Sequence, residues 1–176
     1  METGVSTRSI LVYGNQLLRK RAKPVAAVTP ALKRLADEML ESMYESNGIG
    51  LAAPQVGESV RLIVLDVSGE EDGKKKKPYV LFNPVILSSK GEIVAEEGCL
   101  SVPGVWADVT RPETVTVQAL DRDGKPVELK NIDGILARCI QHEIDHLEGV
   151  LFVDKISSTD RILNEAKLKK MARGIR

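Results

Sequence analysis

Apolar residues recur at intervals of three and four in the first third of the chain, between residues 30 and 46. The positions with this spacing are Leu32, Leu35, Ala36, Met39, Leu40 and Met43. Such spacing places apolar side chains on one face of a helix. Thr29 and Pro30 supply an N-cap and a first helical residue, and Asn47-Gly48 supplies a stop. The pattern predicts a helix over residues 30–46.

Runs of Val, Ile and Leu bounded by glycine and proline follow this helix. Residues 60–67 and 79–87 are predicted to be strands, and residues 48–57 are predicted to form a loop or a broken strand. The stretch between the two strands, residues 68–78, is rich in lysine and is predicted to be a solvated loop.

Turn residues mark two further strand connections. A turn at residues 88–91 is predicted to let residues 92–96 pair back on the strand before it. Residues 114–120 and 125–130 flank the sequence Asp-Arg-Asp-Gly at 121–124, which predicts a β-hairpin.

The pattern changes from period two to helical spacing after Asp133. The new apolar face consists of Ile135, Leu136, Cys139, Ile140 and Leu147. Gly149 ends this helix, and Ser157 or Ser158 is predicted to cap a last, basic helix over about residues 158–172. The order of helix, antiparallel strands and two helices predicts an α+β fold, with the strands packed around a central helix.

Composition and charge are those of an ordinary globular protein. The length predicts that residues 1–176 form a single domain. The 25 basic and 25 acidic residues cancel, and the few aromatic residues are scattered, so no DNA binding is expected. No apolar run approaches the roughly 20 residues that span a membrane, so no membrane partner is expected. Two cysteines and no secretory signal favour the cytoplasm.

The sequence His142-Glu143-Ile144-Asp145-His146 is an HExxH segment within the predicted central helix, and it contains both histidines of the chain. Residues four apart share one face of a helix, so both imidazoles can reach one metal ion. Glu143 then lies close enough to take a proton from a water molecule at that ion. Two unrelated exposed histidines are the alternative interpretation.

The third ligand decides the class of site, because a catalytic metal site needs three protein ligands and an open position. Phe152 occupies the position at which a metzincin requires a histidine, which excludes that class. Glu165, in the predicted last helix, is the ligand that a gluzincin-like peptidase would use.

The two cysteines are the other candidate ligands. Cys139 precedes His142 by one helical turn and lies about 10 Å along the helix axis from His146, which favours a role in packing. Cys99 precedes a turn predicted at residues 103–104 and is either a buried thiol or a ligand. All four side chains together would make a closed Cys₂His₂ structural zinc site in a binding protein.

Three segments, in this order, resemble the three motifs of the peptide deformylase family. They are Gly48-Ile49-Gly50-Leu51-Ala52-Ala53-Pro54-Gln55, Glu97-Gly98-Cys99-Leu100-Ser101 and Gln141-His142-Glu143-Ile144-Asp145-His146. The resemblance covers about residues 10–152. It implies a bacterial or organellar enzyme that removes the N-formyl group from the initiator methionine of nascent polypeptides.

The resemblance also implies that Cys99, His142 and His146 hold one divalent metal per chain. Ferrous iron is the ion expected first, and zinc, nickel and cobalt are the alternatives. By the same resemblance, the Gln55 side chain and the Leu100 backbone N–H donate to the oxyanion that develops on the formyl oxygen, while Glu143 is the general base and acid.

The methionine side chain of the substrate needs an apolar pocket beside the metal. Ile49, Ile135 and Cys139 are the predicted walls, since Ile135 and Cys139 share one helical stripe with His142. Glu97 is predicted at the rim, and Gly50 is predicted to let a peptide backbone approach closely.

Two segments are left with open assignments. Residues 102–110 contain Trp106 and Asp108, and either peptide contact or packing fits Trp106. The last helix carries a run of basic residues, namely Lys167, Lys169, Lys170, Arg173 and Arg176. That run is predicted either to touch ribosomal RNA or to complement the helix dipole.

Overall fold

The computed structural model describes residues 5–69 and 76–174. In that part of the chain the α-helices are α1 (Pro30–Glu45), α2 (Gly134–Leu147) and α3 (Ser158–Ala172). The strands are β1 (Gly50–Ala52), β2 (Leu62–Leu65), β3 (Tyr79–Lys90), β4 (Ile93–Cys99), β5 (Val102–Arg111), β6 (Thr114–Leu120) and β7 (Pro126–Ile132). Short 3₁₀ turns cover Gln16–Arg19, Ala53–Val56 and Phe152–Asp154. The predicted α+β class is confirmed.

Two of the three predicted helices, α1 and α3, begin at a predicted capping residue. The Thr29 hydroxyl accepts a hydrogen bond from the Leu32 N–H at 3.3 Å, at the start of α1. Ser157, rather than Ser158, caps α3 by accepting from the Asp160 N–H at 3.0 Å. These caps satisfy backbone donors that have no partner within the helix itself.

The larger sheet has the strand order β1-β2-β3-β6-β7, and all its strands pair antiparallel. Its β2 strand is buried on both faces, because successive side chains of a strand point in opposite directions. Leu62 and Val64 pack with α1, whereas Ile63 and Leu65 pack with α2. This arrangement explains why β2 is a continuous apolar run, and it places α2 against the sheet.

A separate two-stranded ribbon is formed by β4 and β5. The prediction that residues 92–96 pair back on the preceding strand is wrong, because β3 continues to Lys90 and pairs with β6. The predicted turn at residues 103–104 is also wrong: the ribbon turns at residues 100–101, and Pro103 and Gly104 lie within β5. The ribbon turn therefore follows Cys99 directly.

The hairpin of β6 and β7 is confirmed. The turn between its strands is stabilised by the Asp121 carboxylate, which accepts hydrogen bonds from the backbone N–H groups of Asp123 and Lys125. The predicted loop at 68–78 falls partly outside the described residues, including Lys74 and Lys75. Across the two described ranges, no helix is both long and apolar enough to cross a membrane.

Candidate metal centre and catalytic cavity

Helix α2 and the end of β4 bring three metal-binding side chains together. The ligand atoms of Cys99, His142 and His146 all lie within 4.8 Å of one another. Cys99 Sγ is 3.3 Å from His146 Nε2. The two histidines are four residues apart on one helix face, and the ribbon turn supplies the thiol from a different element. These residues can hold a metal ion.

The donor atoms of this cluster, together with a buried carboxylate oxygen beside it, suit a metal ion and a water molecule. Glu143 Oε2 and His146 Nδ1 are buried without a hydrogen-bond partner among the described residues. A buried unpaired polar group costs about 1–3 kcal/mol, so a partner other than protein is indicated. One thiolate and two imidazoles form a borderline-soft set that suits ferrous iron, zinc, cobalt or nickel. Three protein ligands leave a position open for water or substrate.

Burial is the largest single influence on the pKa values of Glu143, His146 and His142 on α2. It raises the pKa of Glu143 to about 7, although the neighbouring His142 acts in the opposite direction. It lowers the pKa of His146 well below the usual value, which favours the neutral imidazole that binds metals. Burial also lowers the pKa of His142, but hydrogen bonds with Cys99 and Glu97 outweigh it and raise that pKa to about 10.

Glu97 is a buried anchor for His142 and is more enclosed than its predicted place at the rim of the pocket. Its side chain is only 6% exposed, and Oε2 lies 2.9 Å from His142 Nδ1. Arg111 Nε donates to Oε1 at 2.5 Å, and Arg138 Nη1 donates to the same oxygen at 2.7 Å. Such a carboxylate–histidine pair orients the ring and fixes its tautomer.

The charge of Glu97 is stabilised despite its burial. Burial raises its pKa, but the hydrogen bonds with His142 and Arg111 outweigh that effect and hold the pKa far below its usual range. Arg111 also donates to Asp145 at 2.8 Å, and Asp145 pairs with Lys155 at 2.9 Å. Sequence reasoning missed Arg111 and Asp145 as part of the site. For Arg111, the available signal was its place in the alternating series Val105, Ala107, Val109 and Arg111.

Gln55 is held beside Cys99 by the 3₁₀ turn at Ala53–Val56. Its Oε1 accepts the Ala52 N–H at 2.8 Å, which fixes the side chain. Its Nε2 donates to Ser101 Oγ at 3.0 Å and lies 3.6 Å from Cys99 Sγ. The amide N–H groups therefore face the candidate metal centre. Ser101 belongs to the second motif, but its contact with Gln55 was not predicted from the sequence.

Gly50 is required by the protein's own carboxylate. A Cβ at this position would lie 2.5 Å from Glu143 Oε1 and 2.7 Å from Cys139 Sγ. The Gly50 backbone therefore packs directly on Glu143 and confines its side chain. The Gly50 backbone is thus closely approached, as predicted, but by the Glu143 side chain of α2. Close approach of a substrate peptide to Gly50 stays a prediction.

A cavity of about 530 Å³ opens in front of these groups. The predicted pocket residues Ile49, Ile135, Cys139 and Glu97 all line it, together with Gly50, Gln55, Cys99, Leu100, His142 and Glu143. Ile49 and Ile135 are 44% and 58% exposed, so an apolar ligand would cover side chains that now face solvent. The volume is within the range of small-molecule and peptide sites.

Neither alternative ligand reaches the cluster. Cys139 is buried in the apolar core and its thiol donates to the Ile49 carbonyl at 3.5 Å, so a closed Cys₂His₂ site is not formed. The Glu165 side chain is 57% exposed on α3, where it pairs with Lys169 at 2.6 Å. The gluzincin-like arrangement is therefore incorrect as well.

The family model for polypeptide deformylase matches residues 7–162. The chain belongs to the peptide deformylase family. The resemblance noted from the three motifs is thereby confirmed, and so is the prediction that the protein is an enzyme, a hydrolase of protein biosynthesis.

Several members of this family match this chain over nearly the whole length of both. A peptide deformylase from Rhodopseudomonas palustris is 48% identical over 174 residues, covering 98% of this chain and 99% of the relative. A crystal structure of a peptide deformylase from Legionella pneumophila is 48% identical, with a TM-score of 0.86 and 96% of each chain covered. The peptide deformylase from Synechococcus elongatus in complex with actinonin is 42% identical, with a TM-score of 0.86, and covers 100% of this chain and 98% of its own.

Proposed function

We propose that residues 1–176 form a single catalytic domain that removes the N-formyl group from the formylmethionine of newly synthesised polypeptides and releases formate. One observation carries this proposal: the Glu143 carboxylate, whose Oε2 has no hydrogen-bond partner within residues 5–69 and 76–174, lies beside the Cys99, His142 and His146 cluster in a cavity with apolar walls. This arrangement can hold an amide carbonyl, an attacking water and a proton acceptor together.

Cys99, His142 and His146 would hold one divalent ion per chain, with ferrous iron as the first candidate and zinc, nickel and cobalt as alternatives. When bound, such an ion acts as a Lewis acid and lowers the pKa of water towards about 7. Glu97 supports this set by orienting His142 through Nδ1.

Glu143 is assigned the proton transfers. Its Oε2 is buried and has no hydrogen-bond partner in the part of the chain that the structure describes, and Gly50 confines the other oxygen. The carboxylate takes a proton from the attacking water and gives it to the leaving amine, which is typically worth a factor of about 10²–10⁴ in rate.

Gln55 and Leu100 are assigned to the negative charge that develops on the formyl oxygen. The Gln55 amide is held beside the candidate metal cluster because Ala52 N–H donates to Oε1 and Ser101 Oγ accepts from Nε2. Leu100 follows Cys99 in the ribbon turn. Donors that are already oriented towards such an oxygen typically contribute a factor of about 10²–10³ each.

The methionine side chain is assigned to the apolar part of the cavity, against Ile49, Ile135 and Cys139. The actinonin complex of the Synechococcus elongatus relative supports ligand binding by this fold. Two glycines shape the wall: a Cβ at Gly48 would lie 2.7 Å from Leu100 Cδ1, just as one at Gly50 would strike Glu143.

The formylated nascent peptide is the proposed partner, in the cytoplasm of a bacterium. Leu168 is the buried side chain of α3, which leaves most of this helix exposed, including Lys169 and Lys170. Contact between this basic surface and ribosomal RNA is part of the proposal. Arg176 lies outside the described residues.

The test is hydrolysis of formyl-Met-Ala-Ser by protein purified without oxygen, with formate release and bound metal measured on the same sample. We expect formate together with about one metal per chain. Fully metallated protein that releases no formate, with iron and with zinc alike, would overturn the proposed function.

A further inference from the structure

The β4–β5 ribbon is a layer of its own, and side chains of α2 connect it to the rest of the fold. Within the two described ranges, neither strand of the ribbon pairs with a strand of the five-stranded sheet. Two short connections, residues 91–92 and 112–113, join the ribbon to β3 and β6. Helix α2 meets the ribbon and its second connection with a row of polar side chains spaced as one helix face: Arg138, Gln141, His142 and Asp145. The position of the ribbon therefore depends on this face of α2.

Arg138 is the member of this row that reaches both strands of the ribbon. Its Nη2 donates to the Ile93 carbonyl of β4 at 2.8 Å, and its Nη1 donates to the Val109 carbonyl of β5 at 3.0 Å. The same Nη1 donates to Glu97 Oε1 at 2.7 Å. A guanidinium holds its donors in a rigid planar fork, which suits it to fix several acceptors at once. Arg138 thus joins three points of the ribbon to α2.

These contacts lead to two of the candidate metal ligands. Arg138 donates to Oε1 of Glu97, and His142 Nδ1 lies 2.9 Å from Oε2 of the same carboxylate. Strand β4 ends at Cys99, two residues after Glu97. Arg138 therefore holds both the carboxylate that orients one candidate ligand and the strand that carries another.

Compensation of the Glu97 charge does not explain these contacts. Arg111 already forms a two-point pair with Glu97, through Nε to Oε1 at 2.5 Å and through Nη2 to Oε2 at 3.0 Å. The bonds from Arg138 to the Ile93 and Val109 carbonyls add nothing to that pair. They link the helix to the ribbon backbone, which is the role of a group that sets position.

We propose that Arg138 is a positioning residue for the metal centre, which holds both strands of the ribbon on α2 and thereby places Cys99 beside His142 and His146. The inference rests on the proposed function, since it takes these three side chains as metal ligands. A guanidinium has no acceptor atom to offer a metal, so Arg138 acts through the ribbon.

The experiment measures how tightly Arg138→Met binds Co²⁺ and how the bound ion absorbs light. Cobalt suits a set of one thiolate and two imidazoles, and its bond to a thiolate adds a charge-transfer absorption to the spectrum. Methionine keeps an unbranched side chain but removes all three hydrogen bonds. In competition between cobalt-loaded protein and a chelating dye, we expect the affinity to fall about ten-fold, the lower end of the range for groups that orient metal ligands. The charge-transfer band per bound cobalt should weaken as well.

Arg61→Met is the matched control. The Arg61 side chain is 12% exposed, against 14% for Arg138. It likewise donates to a carboxylate and to a backbone carbonyl, those of Glu148 and Pro84, and it lies outside the lining of the cavity. Arg61→Met should keep the wild-type cobalt affinity and spectrum. A purely structural role of Arg138 predicts the same result for Arg138→Met, with a loss of stability alone.

Arg138→Lys separates positioning from charge. An ammonium group keeps the positive charge near Glu97 but lacks the fork that spans both strands. We therefore expect this variant to bind Co²⁺ less tightly than wild type, with a weaker charge-transfer band. Circular dichroism reports whether each variant is folded. If Arg138→Met does not fold, Arg138→Lys decides alone, and wild-type affinity with a wild-type band would overturn the inference.

The possible failures differ in what they overturn. Arg138→Met with unchanged cobalt affinity and spectrum, or a loss of the same size in Arg61→Met, would show that Arg138 does not position the centre. Wild-type protein that binds cobalt without a charge-transfer band would overturn the assignment of Cys99 as a ligand. Wild-type protein that shows this band but releases no formate from formyl-Met-Ala-Ser, with iron, zinc and cobalt alike, would overturn the proposed function alone.

Discussion

The five-stranded sheet and the β4–β5 ribbon are both antiparallel and both bury apolar residues, but only the ribbon also buries charged side chains within its strands. The sheet buries apolar side chains, and its β2 strand packs between α1 and α2. The ribbon buries Glu97 and Arg111 as a hydrogen-bonded pair and supplies Cys99 at its end. The sheet thus supports α2, which carries His142 and His146. The ribbon adds Cys99 to the same cluster.

This difference follows from the free energy of burying the side chains of each region. Every apolar side chain that a strand buries between two helices stabilises the fold, so such a strand is suited to a scaffold. A buried carboxylate is stable only with partners, and the partners of Glu97 are two arginines and a candidate metal ligand. Changes in the ribbon should therefore alter metal binding and catalysis, while changes in the sheet should alter stability.

Metal removal should have the largest effect on activity and leave the sheet folded. A chelator is expected to abolish formate release, and re-addition of ferrous iron or zinc should restore it. Circular dichroism should show little change, because the apolar clusters around the sheet do not depend on the ligands. Metal-free protein that keeps its activity would contradict the assigned role of the metal. Metal-free protein that unfolds completely would contradict the independence of the sheet from the metal ligands.

Glu143→Gln should separate proton transfer from metal binding. We expect kcat to fall by about 10²–10⁴, the usual contribution of a general base, with the metal content retained. Glu148→Gln is the matched control just after the same helix, since Glu148 caps the C-terminus of α2 and pairs with Arg21 and Arg61. Loss of the metal in Glu143→Gln, or full activity without the carboxylate, would contradict the assigned role.

Glu97→Gln should weaken metal binding without removing a ligand. Partners that orient a ligating histidine typically contribute a factor of about 10–100 in metal affinity. The adjacent Glu96→Gln is the control, because Glu96 is exposed and points away from His142. Competition with a chelating dye measures both affinities, and equal affinities in the two variants would place Glu97 outside the metal centre.

Phe82→Ala should lower the stability of the fold and leave kcat unchanged. Phe82 is fully buried against α1, and such truncations cost about 3–5 kcal/mol of unfolding free energy. Val85→Ala on the same strand is half-exposed and should cost less than about 0.5 kcal/mol. Denaturant unfolding measures these costs. The kcat of the folded fraction should stay unchanged, and a large fall in kcat would link the two regions.

Asp66→Asn, after β2, should give the smallest effect, one that depends on pH. Burial raises the pKa of Asp66, but hydrogen bonds from Ser68, Tyr44 and Lys77 outweigh it and lower the pKa. A lowered pKa stabilises the fold in full above the unfolded value of about 3.9, and this stabilisation is lost as pH falls through the folded value. The stability gap to wild type should therefore shrink in acid. A gap that is the same at pH 3 and pH 7 would contradict this.

The sequence predicts local structure well where capping and turn residues agree with the apolar pattern. Helix α1 and the β6–β7 hairpin are recognised for this reason. Strand β5 is missed because Pro103 and Gly104 interrupt its pattern and because its last buried residue is Arg111. A charged residue becomes a core residue only when a partner from another element meets it, and no local signal shows that partner.

The same limit applies to the candidate site. The HExxH segment predicts two ligands and a base from one helical turn, but from the sequence alone three residues compete for the third position. Only the ribbon geometry brings Cys99 to His146 and leaves Glu165 in solvent. The contact of Glu97 with His142 and that of Trp106 with Gly98 are likewise tertiary, and neither follows from spacing.

Replacement of the two cysteines in turn tests the metal centre most directly. Cys99→Ser and Cys139→Ser remove the same atom from two neighbouring positions of the cavity, and one of these is assigned as a ligand. Elemental analysis of anaerobically purified protein should find about one metal per chain in wild type and in Cys139→Ser, and little in Cys99→Ser. A full metal content in Cys99→Ser, or its loss in Cys139→Ser, would contradict the proposed metal centre.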